Sequence, residues 1–242
     1  MGKFVCVRVV QGWGIDLNLY QFDYRQTWAA FFMNPDKTIY GRYGTESTFR
    51  NSGATNTIEG FKLALKASLD LHAGYPGNKA EFAAKTGPPA PWRTPETIPF
   101  LQGKPPSKAP YSGKGTACIH CHAAWGGVLK SLEQAKQPVP MKLQAPWPMP
   151  DVVGLDLDPK EKSKVTGVDA GSAAEKAGFK AGDVIVTMEG QPIVSIADVQ
   201  WVLNNAKDSG PVKAEVERGG QKTPLTLTLA AGWRNAAIPK KP

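Results

Sequence analysis

Residues 118–122 read CIHCH. Two cysteines one helical turn apart, with a histidine directly after the second, is a spacing open to four readings. A covalent c-type haem needs two thiols that reach the porphyrin vinyl groups and an imidazole that rises to the iron from the same side. Cys118, Cys121 and His122 meet that demand. A sixth ligand would come from Met141 in VPMKL or Met149 in WPMPD, each placed after a proline, and thioether ligation raises the potential toward the electron-carrier range. Zinc held by Cys118, His120, Cys121 and His122 crowds all its ligands into one short stretch, a poor start for a tetrahedron unless His72 or a second chain completes a half-site. A redox disulfide between Cys118 and Cys121 gains from thiols at a helix N-terminus, whose pKa values are lowered. The last alternative is two thiols that happen to lie beside histidines. The haem reading fits best, because a full C-x-x-C-H in so cysteine-poor a chain is the pattern that haem attachment calls for.

The elements around the motif must position it. From His120 to Lys136, Trp125, Val128, Leu129 and Leu132 recur at helical spacing, so a helix begins inside the motif. Trp125, Val128 and Leu129 are its candidates for packing on a haem face. This helix interrupts a stretch, residues 74–150, that holds fourteen of the 21 prolines. Proline removes backbone donors and fixes φ, so extended chain wrapped over a neighbour, or a linker, is expected there. The same stretch has nine Lys/Arg against three Asp/Glu, so most of the net charge of +8 surrounds the motif. The lysines are scattered, without Arg clusters or interleaved aromatics, which argues against nucleic acid and for an acidic redox partner.

Residues 1–73 precede it. KFVCVRVV is a β-branched apolar run, expected as a strand buried on both faces, with Cys6 an inert core residue. TWAAFFMNPDKTIYGRYG reads as a hairpin turning at NPDK. NTIEGFKLALKASLDLH reads as a helix capped by Thr57, with Ile58, Phe61, Ala64, Leu65 and Leu69 as its apolar stripe. This order of strand, link, hairpin and helix resembles the second half of a thioredoxin-like fold. That family's C-x-x-C follows an earlier strand, which is absent here, and the stretch before the hairpin, YRQTWAA, lacks the family's proline. The resemblance therefore implies a scaffold without thiol chemistry of its own. No secretory leader is visible ahead of KFVCVRVV, and the chain reads as starting inside structure.

Residues 151–234 carry the most specific pattern. Strands are expected at DVVGLDLD, SKVTGV, VKAEVER and PLTLTLA. Ser172 and Glu175 form a capping box, and Ser195 caps a second helix whose stripe is Ile196, Val199, Leu203 and Ala206. SAAEKAGFKAGDVIVTMEGQPI closely resembles bacterial PDZ domains. The resemblance implies an α+β fold that takes an extended peptide, usually a C-terminus, as an added strand beside a helix. It places the carboxylate turn at Val153, Gly154 and Leu155, and the edge strand from Leu155 through Asp156 to Leu157. Val199, Trp201 and Val202 would line the helix side, with Trp201 on the groove border.

The whole chain is thus expected to be α/β plus α+β. A partial thioredoxin-like domain (1–73), a Pro-rich segment with one helix (74–150) and a PDZ domain (151–234) are followed by a short tail (235–242). This order resembles exported multidomain bacterial proteins. The chain has no run of about 18 apolar residues, so no membrane span is expected. With only three histidines and no nucleophile segment, a Ser-His-Asp protease is not expected on this chain alone, nor is a catalytic activity of its own. The reading that follows is an exported electron-transfer or redox-sensing module with haem c and a peptide-recruiting PDZ domain. Its rivals are a PDZ adaptor in which CIHCH is a metal or disulfide staple, and a thiol-disulfide oxidoreductase using Cys118 and Cys121.

Overall fold

A computed structural model of the protein describes residues 2–9, 12–26, 28–45, 55–103 and 121–238. They divide into two compact units, each built from two separated stretches: residues 1–25 with 88–139, and residues 26–87 with 140–242. Cys118 and His120 lie outside the described residues.

The second unit starts with a hairpin, β1 (Ala30–Met33) and β2 (Ile39–Tyr43), paired antiparallel from Ala30↔Tyr43 to Met33↔Ile39. Its turn is held by Asp36, whose carboxylate accepts from Asn34 Nδ2 and Thr38 N. Helix α1 (Ile58–Ala73) follows, and the Thr57 hydroxyl caps it by accepting from Gly60 N at 3.0 Å. The apolar stripe expected on α1 is displaced. Gly60, Ala64, Ala67 and Ser68 are the buried positions, while Ile58 is 65 % exposed. Small residues let α1 approach the hairpin closely, and Phe61 and Leu65 fill the flanks with Phe32, Tyr40 and Tyr43.

Downstream, β3 (Leu155–Leu157) pairs antiparallel with β4 (Val165–Val168). The short helix α4 (Ala173–Ala177) is capped by Ser172, which accepts from Glu175 N, while the Glu175 carboxylate returns to Gly171 N. A four-stranded antiparallel sheet is ordered β6 (Gln191–Pro192), β5 (Val184–Met188), β7 (Gly210–Arg218), β8 (Gln221–Leu229). The core under it joins Leu155, Val165, Phe179, Ile185, Met188, Val199, Leu203, Val216 and Leu227. All four strands expected from the alternating pattern are present, but DVVG forms a 3-10 turn (Pro150–Val153) that enters the first of them.

The first unit is smaller. Helix α2 (Cys121–Gln134) lies on the 3-10 turn Pro99–Leu101, itself packed on another, Pro95–Thr97, with Leu17, Ile98, Leu101, Ala123 and Ala124 at the centre. A Cβ added at Gly127 would meet Leu101 at 2.8 Å, so this glycine sets the spacing. The Pro-rich chain is ordered by side-chain bonds, as Ala90 N donates to Asn18 Oδ1 and Phe100 N to Ser131 Oγ. KFVCVRVV departs from the expected buried strand. Val5, Val7 and Val9 are 93, 81 and 55 % exposed and Cys6 is exposed too. A two-sided apolar strand needs neighbours on both faces, and among the described residues no strand pairs with it.

Candidate peptide-binding groove and cysteine motif

The edge strand β3 is reached through the Pro150–Val153 turn. Val152 N donates to Met149 O and Gly154 N to Asp151 O at 3.0 Å, so the turn closes on itself. Gly154 ends it at φ +86°, where a Cβ would run into the Ser172 side chain. On the β4 side, Gly154 O accepts from Asp169 N and Asp158 N donates to Lys164 O. Alternation along an antiparallel pair then turns the main-chain groups of Leu155 and Leu157 to the outer edge. Among the described residues no strand pairs with that edge. Asp156 points its main chain at β4, and its carbonyl accepts from Thr166 Oγ1. Val153 and Leu155 are buried and Leu157 half-buried against the core.

Helix α5 (Ile196–Asn205) packs against the Pro150–Val153 turn that leads into this strand and against β2, and its residues from Ile196 to Asn204 are all buried. One stripe, Val199 and Leu203 with Val202, enters the core, as the spacing predicts. The rest of the helix is covered by the unit's own chain. Trp147 O accepts from Gln200 Nε2 at 2.8 Å, and Trp147 N donates to Asn204 Oδ1. Trp201, expected at the groove border, is only 2 % exposed. Its indole stacks obliquely on Trp147 at 5.8 Å, donates to Ala84 O at 2.8 Å, and lies 3.9 Å under the Arg42 guanidinium. Val199 and Val202 are likewise buried in the core. No sequence signal on α5 distinguishes a face turned to a ligand from one covered by distant chain.

The covering hairpin is fastened by buried charge. Lys85 Nζ lies 2.8 Å from Asp198 Oδ1, and both side chains are fully buried. Asp198 also accepts from Arg42 N and, at 3.0 Å, from Val194 N. Arg42 Nη2 donates to Lys85 O at 2.6 Å, and Ser195 Oγ, besides capping α5 through Ala197 N, donates to Arg42 O. Burial lowers the Lys85 pKa to about 8, against the opposing pull of Asp198. Burial likewise brings the Arg42 guanidinium down to about 10. Lys85 and Asp198 are 113 positions apart in sequence and carry no motif, which is why sequence reasoning missed them.

Cys121 and His122 open α2 in the first unit, both half-buried. Desolvation raises the Cys121 pKa and nearby Asp23 adds to the rise, outweighing the backbone N–H groups of His122 and Cys121 that lower it. The buried face of α2 is Ala123, Ala124, Gly127 and Ser131, while Trp125, Val128 and Leu129 are half-exposed, and Arg25 lies 5.9 Å over the Trp125 ring. Met141 opens the short helix α3 (Met141–Gln144) and Met149 precedes the Pro150–Val153 turn, both in the second unit. His72, the other candidate metal ligand, is engaged through Nδ1 with Tyr40 Oη at 2.8 Å and is stacked on Tyr75. Among the described residues no three metal-ligating side chains gather at one point, and no helix is long and apolar enough to cross a membrane.

Residues 151–229 match the PDZ domain family. A probable periplasmic serine endoprotease DegP-like from Pseudomonas savastanoi pv. phaseolicola is 37 % identical over 75 residues, which is 31 % of this chain and 16 % of that protein. The regulator of sigma-E protease RseP from Salmonella typhimurium is 41 % identical over 71 residues, 29 % of this chain and 15 % of that protein. The chain therefore spans about a sixth of the length of these relatives. The crystal structure of the HtrA3 PDZ domain bound to a phage-derived ligand, FGRWV, aligns at a TM-score of 0.25 and 26 % identity, covering 27 % of this chain and 56 % of that one. The serine endoprotease from Yersinia pestis aligns at 0.29 and 22 % identity, covering 31 % of this chain and 27 % of that one. Residues 151–229 of this protein are a PDZ domain similar to those of the DegP-like proteases.

Proposed function

We propose that the protein is an exported peptide-binding adaptor whose PDZ domain captures an extended segment of a client along the outer edge of β3. The observation that carries this reading is the outer edge of a three-residue strand, toward which the Leu155 and Leu157 main-chain groups turn and with which no strand pairs among the described residues. An added strand would pair with those groups, and the side chains of the client would select it. The DegP-like relative is named as a probable periplasmic protease, which supports an exported location. Residues 26–87, with the hairpin and α1, act as a scaffold that holds α5. Hydrogen exchange of the whole chain against peptides selected from a random library tests the proposal. Bound peptide should protect the Leu155 and Leu157 amides, and ligands that leave both unprotected would sink it.

A second reading concerns CIHCH. The half-exposed apolar residues Trp125, Val128 and Leu129 beside Cys121 and His122 support a covalent haem, which would supply one-electron chemistry, and the basic stretch would then face an acidic redox partner. Cys118 and Cys121 would hold it, with His122 as axial ligand. Intact mass after expression with cytochrome c maturation decides the matter: a bare polypeptide mass without a Soret band rejects the haem.

A further inference from the structure

A cleft with about 210 Å³ of space, open to solvent, lies where the end of β2, the start of α1, the loop between β3 and β4 and the start of α5 meet. Whole-ligand pockets begin at about 300 Å³, so this space suits a single side chain. Its floor is buried, with Tyr43, Thr45, Ser195 and Ile196 each 7 % exposed or less. Both main-chain groups of Thr45 are held by the Asn56 amide, at 3.0 and 2.8 Å, which leaves the Thr45 side chain to line the cleft. Its hydroxyl is buried and has no hydrogen-bond partner, a state that costs free energy until something enters to bond it. The N-terminus of α5 supplies a donor. Ser195 Oγ accepts from Ala197 N and Ser195 O from Asp198 N, while Ile196 N makes no hydrogen bond among the described residues. Glu161 is exposed on the rim. That rim is held in place, since Pro159 O accepts from Thr57 Oγ1 at 2.7 Å and a Cβ on Gly60 would run into the same carbonyl.

The direction of α5 places the cleft along the groove. The C-terminal half of α5 holds Trp147 through Gln200 and Asn204, and the helix packs on the Pro150–Val153 turn, so its N-terminus lies toward the far end of β3. Pro159, on the rim, follows closely after Leu157, the last residue of that strand. A segment added antiparallel to β3 therefore comes level with the cleft about four residues before the one beside Leu155, at ~3.3 Å per residue. We infer that this cleft is a specificity subsite of the peptide groove and takes the neutral amide side chain of an Asn or Gln in the client. The inference rests on the β3 edge being the binding site and adds the class of residue selected there. The amide oxygen accepts from the Thr45 hydroxyl and Ile196 N, and the amide NH2 donates to Glu161. A carboxylate side chain is repelled by Glu161 and an ammonium by the positive end of α5. A hydrocarbon side chain leaves the Thr45 hydroxyl unpaired.

The test uses the full chain and peptides selected from a random library, with hydrogen exchange at Leu155 and Leu157 reporting where each binds. In each peptide the positions ahead of the paired segment are varied in turn among Asn, Gln, Leu, Glu and Lys. The expected result is one position, about four residues ahead of the residue beside Leu155, where Asn or Gln binds about tenfold tighter than Leu, Glu or Lys. Thr45→Val replaces the unpaired hydroxyl by a methyl group, so its denaturation midpoint should equal or exceed that of the parent, and it should reduce the preference for the amide over Leu to about twofold or less. Thr45→Ser keeps the hydroxyl and should keep the preference. A lower midpoint for Thr45→Val shows that the hydroxyl already has a partner and overturns the subsite. Absence of an amide-preferring position, or a preference that survives Thr45→Val, with the edge amides protected, overturns the subsite and leaves the β3 groove in place. Failure to select any peptide, or peptides that leave the edge amides unprotected, overturns the groove and the subsite together.

Discussion

At the scale of single residues, two sites dominate. Gly154 holds a left-handed backbone against Ser172, the residue that caps α4. Gly154→Val must strain the backbone and displace that cap, so we expect a loss of about 1–3 kcal/mol in chemical denaturation. A variant as stable as the parent would contradict the turn geometry. Asp198 is the other. Its carboxylate is fully buried, with Lys85 beside it and the main chain of Arg42 and Val194 donating to it. Asp198→Asn strands the Lys85 ammonium in the interior and should cost about 3–5 kcal/mol, while adding Lys85→Met should recover part of that loss. Additive losses in the double variant would mean that the two side chains do not interact. Gly154 was legible in sequence because VVGLDL names a turn. The buried pair was not, since each member alone reads as an ordinary surface charge.

Helix α5 carries the lesson at the scale of elements. Its spacing reveals one apolar stripe, and the structure buries the opposite side as well, using Trp201 and Asp198 to receive the hairpin. This arrangement has a pH signature. The Lys85 pKa falls from its ordinary 10.5 to about 8 on folding, because burial opposes the charge. Between those values the unfolded chain binds more protons than the folded one, so the stability linked to this group rises as the pH climbs from about 8 toward 10.5. The stability of the parent relative to Lys85→Met should accordingly increase between pH 8 and pH 10. A decrease would show that the ion pair with Asp198, and not desolvation, dominates. Helix α2 teaches the same point: its bulky residues recur at helical spacing, yet its small residues make the buried face, because close approach to Leu101 requires Gly127.

For the whole molecule, the division into two discontinuous units changes what a fragment can do. The PDZ core lies entirely between Trp147 and Trp233, so residues 140–238 should fold alone. The same fragment uncovers Trp201 and leaves Asp198 without Lys85, both of which are buried in the complete unit. It should therefore be less stable than the full chain's second unit by about 3 kcal/mol or more, read from denaturant midpoints that follow α5. Equal midpoints would mean that residues 26–87 contribute nothing to the domain.

The sequence by itself determined the elements whose signals are local. The period-two strands from Val165 to Leu229, the Ser172, Ser195 and Thr57 caps, the hairpin around Asp36 and the helix after Cys121 all follow from residues within a turn or two of one another. Only the tertiary structure decided which faces those elements bury. It exposed Val5, Val7 and Val9, drew Trp201 away from a ligand and under Arg42, and closed the turn at Gly154 on its own carbonyl. The physical reason is that burial and hydrogen-bond satisfaction depend on partners supplied by distant chain, and periodicity along a segment does not identify those partners.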